Sequence, residues 1–200
     1  MDVKEILTEQ HPLEPFLPDG TRLLMLGSFP PQRKRWSMEF YYPNLNNDFW
    51  RIMGMIFYGD RARFLTTSGR AFCRETIVEF LTAKQIALYD TATQIRRLND
   101  NASDKYLEVV VPTNIKALLR RIPDCRAIAS TGQKATDIIA EQFGIASPPP
   151  IGEHAEVVHE GRMLEIWRMP SSSRAYPLKL ESKAEIYGRM FRKLRYNQTK

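Results

Sequence analysis

Short apolar runs alternate along this chain with longer stretches of helical periodicity. Three runs predict buried strands: TRLLMLG at residues 21–27, QIALYD at residues 85–90 and RAIAST at residues 126–131. Each is nearly continuous in apolar residues, as expected for strands of a parallel sheet that is covered on both faces. Parallel strands need long connections between them, and helices usually supply these.

Helical spacing of large apolar side chains fills the intervals between the runs. It predicts helices over residues 46–58, 74–83, 112–122, 133–143 and 182–196, and a strand pair over residues 157–159 and 163–169. We therefore expect an α/β protein with a three-layer α/β/α arrangement around a short, mainly parallel central sheet. The length of 200 residues predicts a single domain over residues 1–200, with an irregular lead-in over residues 1–20.

The composition is that of a globular protein, because 43% of the residues are hydrophobic and 26% are charged. No apolar run approaches the length of about 18 residues that a membrane span needs, and the first residues do not resemble a secretory signal. Cys73 and Cys125 lie far apart, so we expect a cytoplasmic protein with reduced thiols and no membrane association. His154 and His159 lack the spacing of metal ligands, and no glycine-rich phosphate motif occurs, so neither metal nor cofactor is expected.

The net charge of +6 and the pI of about 9.4 favour a polyanionic partner such as DNA. One basic cluster follows a Phe-Pro-Pro turn and consists of Arg33, Lys34 and Arg35. A second cluster lies near the C-terminus and consists of Arg189, Arg192, Lys193, Arg195 and Lys200. Charge alone does not show that the chain binds DNA, because the C-terminal cluster is equally compatible with the solvated face of a last helix.

In such a fold the ligand site lies beyond the carboxyl ends of the parallel strands. The loop at residues 27–31 (GSFPP) has a glycine that lets backbone approach a ligand, or it is simply a tight turn. Residues 41–50 (YYPNLNNDFW) offer aromatic faces and amides to a base, or core aromatics and helix caps. Residues 169–177 (MPSSSRAYP) offer groups suited to phosphate, or form an ordinary polar loop. Asp90 could orient a water molecule or make a structural hydrogen bond.

Three short motifs in these loops together resemble the uracil-DNA glycosylase superfamily. The motifs are Gly27-Ser28-Phe29-Pro30, Asn47-Asp48-Phe49-Trp50 and Pro170-Ser171. The similarity is closest to the hypoxanthine-type branch and more distant to the mismatch-specific uracil branch, and it extends over about residues 21–194. The resemblance implies hydrolysis of the bond between a damaged base and deoxyribose, without metal or cofactor, after the base has been flipped out of the duplex.

The resemblance also implies roles for individual residues. Asn47, Ser171 and Ser172 are the candidate catalytic residues, although Asn47 could instead cap a helix. The candidate substrate-binding residues are Gly27, Ser28, Phe29, Tyr42 and Pro170. Tyr42 holds the place of the aromatic that stacks on the base, with Tyr41 and Phe40 as alternatives.

The loop after the last motif occupies the place where relatives insert a wedge into the duplex. Ser173, Arg174 and Tyr176 are therefore candidate DNA-binding residues, and Lys183 on the following helix could reach a phosphate. Arg174 and Lys183 are equally compatible with an inert surface. The expected partner is DNA that contains a damaged base, bound by a monomer.

Three positions depart from the family pattern. Uracil enzymes usually carry Asp or Asn where this chain has Phe29, whereas the hypoxanthine-type branch tends to be apolar there. Many relatives have His where this chain has Met169, and Leu45-Asn46 replaces an expected Pro-Arg. Three functions stay open: a glycosylase for a deaminated base, a DNA-binding module of the same fold without the chemistry, and a protein that acts on a free nucleotide or nucleoside.

Overall fold

A computed structural model describes residues 7–98 and 106–196 of the chain. The strands are β1 (Thr8–Gln10), β2 (Leu23–Gly27), β3 (Ile86–Asp90), β4 (Ala92–Arg97), β5 (Leu107–Pro112), β6 (Ala127–Thr131), β7 (His154–His159) and β8 (Arg162–Met169). The α-helices are α1 (Phe49–Tyr58), α2 (Arg74–Lys84), α3 (Ile115–Arg121), α4 (Gln133–Phe143) and α5 (Leu180–Lys193), and a short 3₁₀ helix covers Arg33–Arg35.

The main sheet has five strands in the order β3-β2-β6-β8-β7. β3, β2, β6 and β8 are parallel to one another, and β7 is antiparallel at the edge. Every residue of β2, β3 and β6 is buried, because helices cover both faces of these strands. The predicted mainly parallel α/β architecture is confirmed.

The chain connections that follow β2 and β6 run in opposite directions across the sheet, so they diverge between these two strands. The chain leaves β2 through α1 and α2 and returns at its neighbour β3, whereas β6 continues through α4 toward β8 on the other side. Right-handed crossovers that run in opposite directions leave their helices on opposite faces of the sheet. The last helix, α5, packs against α1. Ligand clefts form at such a divergence, outside the carboxyl ends of the strands.

A second, smaller sheet was not predicted from the sequence. Its three antiparallel strands have the order β1-β4-β5, and its apolar side holds Ala92, Ile95 and Leu107. The expectation of a wholly irregular lead-in is wrong in this respect, because Thr8–Gln10 forms β1. Further along the lead-in, the backbone of Phe16 exchanges two hydrogen bonds of 3.0 Å with that of Leu88. The lead-in is therefore attached to the edge of the main sheet.

The helix boundaries differ from the predicted ones where polar side chains or proline decide them. α3 begins at Ile115 because Pro112 belongs to β5 and the side chain of Asn114 accepts a hydrogen bond from Ala117 N. α5 begins at Leu180, two residues before the predicted start. α4 covers Gln133–Phe143 as predicted, and Gly144 ends it with a left-handed φ of 66°.

None of the helices within residues 7–98 and 106–196 is both long enough and apolar enough to cross a membrane. Over the same residues, no three side chains of His, Cys, Asp or Glu come together in a way that could hold a metal ion.

Candidate active site

A cleft of about 750 Å³ opens at the carboxyl ends of β2, β3, β6 and β8. This volume is in the range of small-molecule sites. Ten of the residues predicted for the site line it: Gly27, Ser28, Phe29, Tyr42, Asn47, Ser171, Ser172, Ser173, Arg174 and Tyr176. The sequence therefore predicted correctly which loops come together. Asp90, Thr131, Arg35 and three further polar or aromatic residues, Asn44, Asn46 and Tyr41, also line it.

Gly27 lies in the floor of the cleft, at the end of β2. A Cβ atom at this position would overlap with Oδ1 of Asp90 and lie 3.2 Å from the hydroxyl of Tyr42. Glycine is required here because two polar groups from neighbouring loops approach the backbone so closely. The floor therefore carries a carboxylate and a phenol rather than an apolar side chain.

Tyr42 is fixed from two sides. Its ring stacks on Phe49 with a centroid distance of 3.8 Å and an interplanar angle of 10°, and its hydroxyl lies 2.8 Å from Thr131 Oγ1. Its backbone has a φ of 51°, which is unusual for a residue other than glycine. The Tyr42–Thr131 contact joins the loop after β2 to the end of β6, across the divergence of the two strands. The phenol is thereby held in the cleft in one orientation.

Asn47 both contacts the start of α1 and lines the cleft. Its Oδ1 accepts a hydrogen bond of 2.9 Å from Phe49 N at the start of α1, so the side chain does cap a helix amide. The residue also lines the cleft and pairs in an antiparallel bridge with Ser173. Since the oxygen is held by the helix, a ligand would meet the Nδ2 donors of the amide.

The hydroxyl loop, residues 171–173, is shaped by its own side chains. Ser171 Oγ accepts from Ser173 N at 3.2 Å, and Ser173 Oγ accepts from Ala175 N at 3.2 Å. Backbone contacts then join the loop to the segment before α1, because Asp48 N donates to Ser172 O at 2.8 Å. Pro170 does not line the cleft; its carbonyl accepts a hydrogen bond of 2.8 Å from the buried hydroxyl of Tyr187.

Asp48, which the sequence did not single out, anchors the hydroxyl loop through two cations. Its Oδ2 accepts from Lys183 Nζ at 3.1 Å, and its Oδ1 accepts from Arg174 Nε at 3.0 Å. Lys183 also donates to Ser173 O at 2.8 Å. Burial, together with repulsion from Arg174, lowers the pKa of the neighbouring Arg51 guanidinium. Three cationic side chains therefore surround Asp48: Lys183, Arg174 and Arg51.

The prediction that Lys183 reaches a phosphate needs correction. Its exposed fraction is 0%, and its ammonium group is directed at Asp48 and Ser173 O. A buried ammonium needs such partners because losing water is costly. Lys183 therefore supports the loop from inside the protein rather than facing DNA.

Of the departures from the family pattern, those at Phe29 and Met169 are apolar. Phe29 packs on the small core between β4 and β5 while also lining the cleft. Met169 is 1% exposed and does not line the cleft. Phe49 and Trp50 are core residues, with exposed fractions of 0% and 1%.

Positive charge at the rim comes from Arg35 and Arg174, which lie on the loops after β2 and β8. The C-terminal basic cluster lies elsewhere. Arg22 Nη2 donates to Leu194 O at 3.0 Å, which places the end of α5 beside the start of β2, at the opposite end of that strand from Gly27. Lys200 of that cluster lies outside the described residues.

The architecture is an open α/β fold with a ligand cleft where the strand connections diverge. It is similar to the solution NMR structure of a "putative Uracil DNA glycosylase" from Methanosarcina acetivorans, with a TM-score of 0.61 and 21% sequence identity. The match covers 93% of this chain and 99% of that one. The protein therefore has a uracil-DNA glycosylase-like fold. No protein-family model matches the chain, and no curated protein sequence matches it.

Proposed function

We propose that this protein is a monofunctional DNA glycosylase that hydrolyses the N-glycosidic bond of a deaminated base, hypoxanthine or uracil, in base excision repair. One observation carries the proposal. A single cleft brings together an aromatic face from Tyr42, an amide from Asn47 and the hydroxyl loop, with Arg35 and Arg174 at its rim. The fold similarity to a candidate glycosylase supports the same conclusion.

The base would bind against Tyr42 after leaving the duplex stack. Flipping costs a few kcal/mol, and stacking on an aromatic ring returns part of it. Tyr42 suits this role because Phe49 and Thr131 already hold it in place. The ring would therefore lose little conformational entropy when a base binds.

Bond cleavage leaves negative charge on the departing base, and the cleft would have to stabilise that charge. The Nδ2 group of Asn47 can donate to a carbonyl oxygen of the base, since its Oδ1 is held by Phe49 N. Ser171 and Ser172 would assist through the hydroxyl loop, which the hydrogen bond between Asp48 N and Ser172 O holds beside Asn47. Preset donors of this kind need no metal and no cofactor.

DNA would be held by the charged rim. Arg35 is exposed, and the side chain of Arg174 is 47% exposed while it pairs with Asp48. Ser173 and Tyr176 lie next to Arg174 in the cleft wall and would contact the strand that carries the flipped nucleotide. We expect a monomer to suffice, and we expect Cys73 and Cys125 to stay reduced in the cytoplasm.

The experiment is an excision panel. Single- and double-stranded oligonucleotides carrying uracil, hypoxanthine or xanthine are incubated with the protein, and alkali then cuts any abasic site. The same oligonucleotides without damage are the control. Cleavage of at least one deaminated substrate at the damaged position is the expected result. Absence of cleavage on every substrate would contradict the proposal.

A DNA-binding module without chemistry is the alternative, and Met169 favours it. The residue before Pro170 is apolar, buried and absent from the cleft wall, so it cannot stabilise a leaving base. Salt titration separates this alternative from a nucleoside-binding protein. Binding to a duplex weakens steeply with salt because phosphate contacts release counterions, whereas binding to a free nucleoside is nearly independent of salt.

A further inference from the structure

The side chains of Asp90 and His11 make a buried polar contact at the edge of the cleft. His11 Nε2 lies 2.9 Å from Asp90 Oδ2, and the side chains are 2% and 8% exposed. His11 Nδ1 lies 2.8 Å from Leu13 O, so both ring nitrogens have partners. The ring also packs edge-on against Phe29, with a centroid distance of 5.1 Å, and against Tyr89 at 4.7 Å. The imidazole is therefore held in one position.

The second oxygen of the Asp90 carboxylate is directed at the floor of the cleft. Oδ1 occupies the space that a side chain at Gly27 would need, beside the hydroxyl of Tyr42. His11 engages Oδ2 from the opposite side. Oδ2 thus contacts the buried His11 ring, and Oδ1 lies against Gly27, which lines the cleft at the end of β2.

Among the described residues that line the cleft, Asp90 is the only carboxylate. Hydrolysis of an N-glycosidic bond needs a group that orients water and accepts its proton, and Phe29 has no atom that can do this. Tyr41 and Tyr89 are poor candidates because burial, and then the nearby charge of Asp90, raises the pKa of both phenols. Both hydroxyls therefore stay protonated at neutral pH.

We propose that Asp90 is the catalytic residue that binds and deprotonates the attacking water, and that His11 is the positioning residue that fixes the Asp90 carboxylate. This inference rests on the proposed glycosylase function. Asp90, at the end of β3, would bind the attacking water, which Phe29 cannot do.

The bond between C1′ of the deoxyribose and the base nitrogen breaks, and its electron pair leaves with the base as an anion. The water oxygen forms a bond to C1′, and one proton of the water passes to Asp90. That proton then reaches the base anion through solvent, which regenerates the carboxylate. The net reaction consumes one water and releases an abasic site and a free base, with no change in oxidation state.

The test is single-turnover excision by Asp90→Asn on the best substrate of the panel. The asparagine keeps the size of the side chain and removes the base. We expect the chemical rate to fall by about 10²-fold or more, with the Kd for the damaged duplex within threefold of wild type. Asp137→Asn, at an exposed position of α4, is the control for handling and should match the wild type.

Two further variants distinguish chemistry from folding. Asp90→Ala leaves a small cavity, and added formate should restore part of its activity because formate can occupy the place of the carboxylate. His11→Ala should lower the chemical rate by about 10²-fold through misplacement of Asp90, with an unchanged Kd. Thermal melts of all the variants show whether each is folded.

The outcomes separate this inference from the function on which it rests. Excision by the wild type together with full activity of folded Asp90→Asn would overturn the role of Asp90 and leave the glycosylase proposal standing. Should Asp90→Asn prove unfolded, failure of formate to rescue Asp90→Ala would overturn that role instead. Inactivity of the wild type on every deaminated base would overturn the proposed function and this inference with it.

Discussion

The ammonium group of Lys183 lies 3.1 Å from the carboxylate of Asp48, and both side chains are buried although 135 residues separate them in sequence. The pair connects the start of α1 to α5. It also holds the carbonyl of Ser173, so the hydroxyl loop depends on it. A positive charge inside the protein thus positions the loop that precedes Arg174 at the rim of the cleft.

Removing the Lys183 charge should therefore affect stability first. In Lys183→Met the Asp48 carboxylate stays buried with one cation fewer, and we expect the free energy of unfolding to fall by about 3–5 kcal/mol. Urea denaturation measures this. Lys179→Met, at an exposed position just before α5, should change the free energy of unfolding by less than about 0.5 kcal/mol. Equal stability of the two variants would contradict the internal role of Lys183.

Variants of Asn47 can separate its contact with α1 from the catalytic role proposed for its amide. Asn47→Asp keeps an oxygen that accepts from Phe49 N but removes the Nδ2 donors. Asn47→Ala removes both, and the lost cap should cost about 1 kcal/mol of unfolding free energy. We expect both variants to lose about 10²-fold in single-turnover excision, as for one donor at a transition state. Full activity of Asn47→Asp would remove the amide donor from the mechanism.

The two groups of arginines should differ in the salt dependence of duplex binding. Arg35→Gln and Arg174→Gln should each reduce the slope of log K against log salt by about one unit, because each removes a phosphate contact. The double variant Arg192→Gln, Arg195→Gln should leave the slope unchanged, since the end of α5 lies away from the cleft. Fluorescence anisotropy at a series of salt concentrations measures the slopes. A reduced slope only in the double variant would place the DNA elsewhere.

Gly27 should not tolerate a methyl group. In Gly27→Ala the new Cβ would overlap with Asp90 Oδ1, and we expect a loss of about 1–3 kcal/mol in unfolding free energy together with loss of excision. Gly188→Ala is the matched control, because its nearest contact is the flexible end of Arg192 at 3.2 Å. We expect that helix position to change stability by about 1 kcal/mol or less. Normal excision by Gly27→Ala would show that Asp90 can move freely.

The reactivity of the two cysteine thiols tests whether the core stays closed in the native protein. Burial raises the pKa of Cys125 to about 11, so its thiol is protonated and inaccessible at pH 8. We expect iodoacetamide to modify Cys73 in the native protein and Cys125 only in denaturant, with the sites read by peptide mass spectrometry. Rapid modification of Cys125 in the native protein would indicate that the region around β6 opens.

The main sheet could be predicted because its strands carry their own signal. Leu23–Gly27, Ile86–Asp90 and Ala127–Thr131 are buried on both faces, and this burial appears in the sequence as short apolar runs. The carboxyl ends of parallel strands meet at one edge, so the loops of the cleft could be predicted as well. Strand β1 of the small sheet gave no such signal, because Thr8–Gln10 is polar and its pairing with β4 uses backbone groups.

The support of the site could not be predicted for a different reason. Asp48 and Lys183 look like surface residues in sequence, and so does His11 in a proline-rich segment. Their pairings depend on tertiary contacts between elements far apart in the chain. The sequence marks Asp90 only as an acid at a strand end, and this position does not distinguish a residue that binds water from one that makes a structural hydrogen bond.

The contact between His11 and Asp90 also bears on the order in which parts of the protein fold. The two residues are 79 positions apart, and the segment with His11 can dock only onto a β3 edge that already exists. Long-range contacts of this kind form late and slow the search for the native state. During refolding from urea, helical circular dichroism should recover before excision does. The delay between the two signals would measure how long the N-terminal segment takes to dock after the sheet has formed.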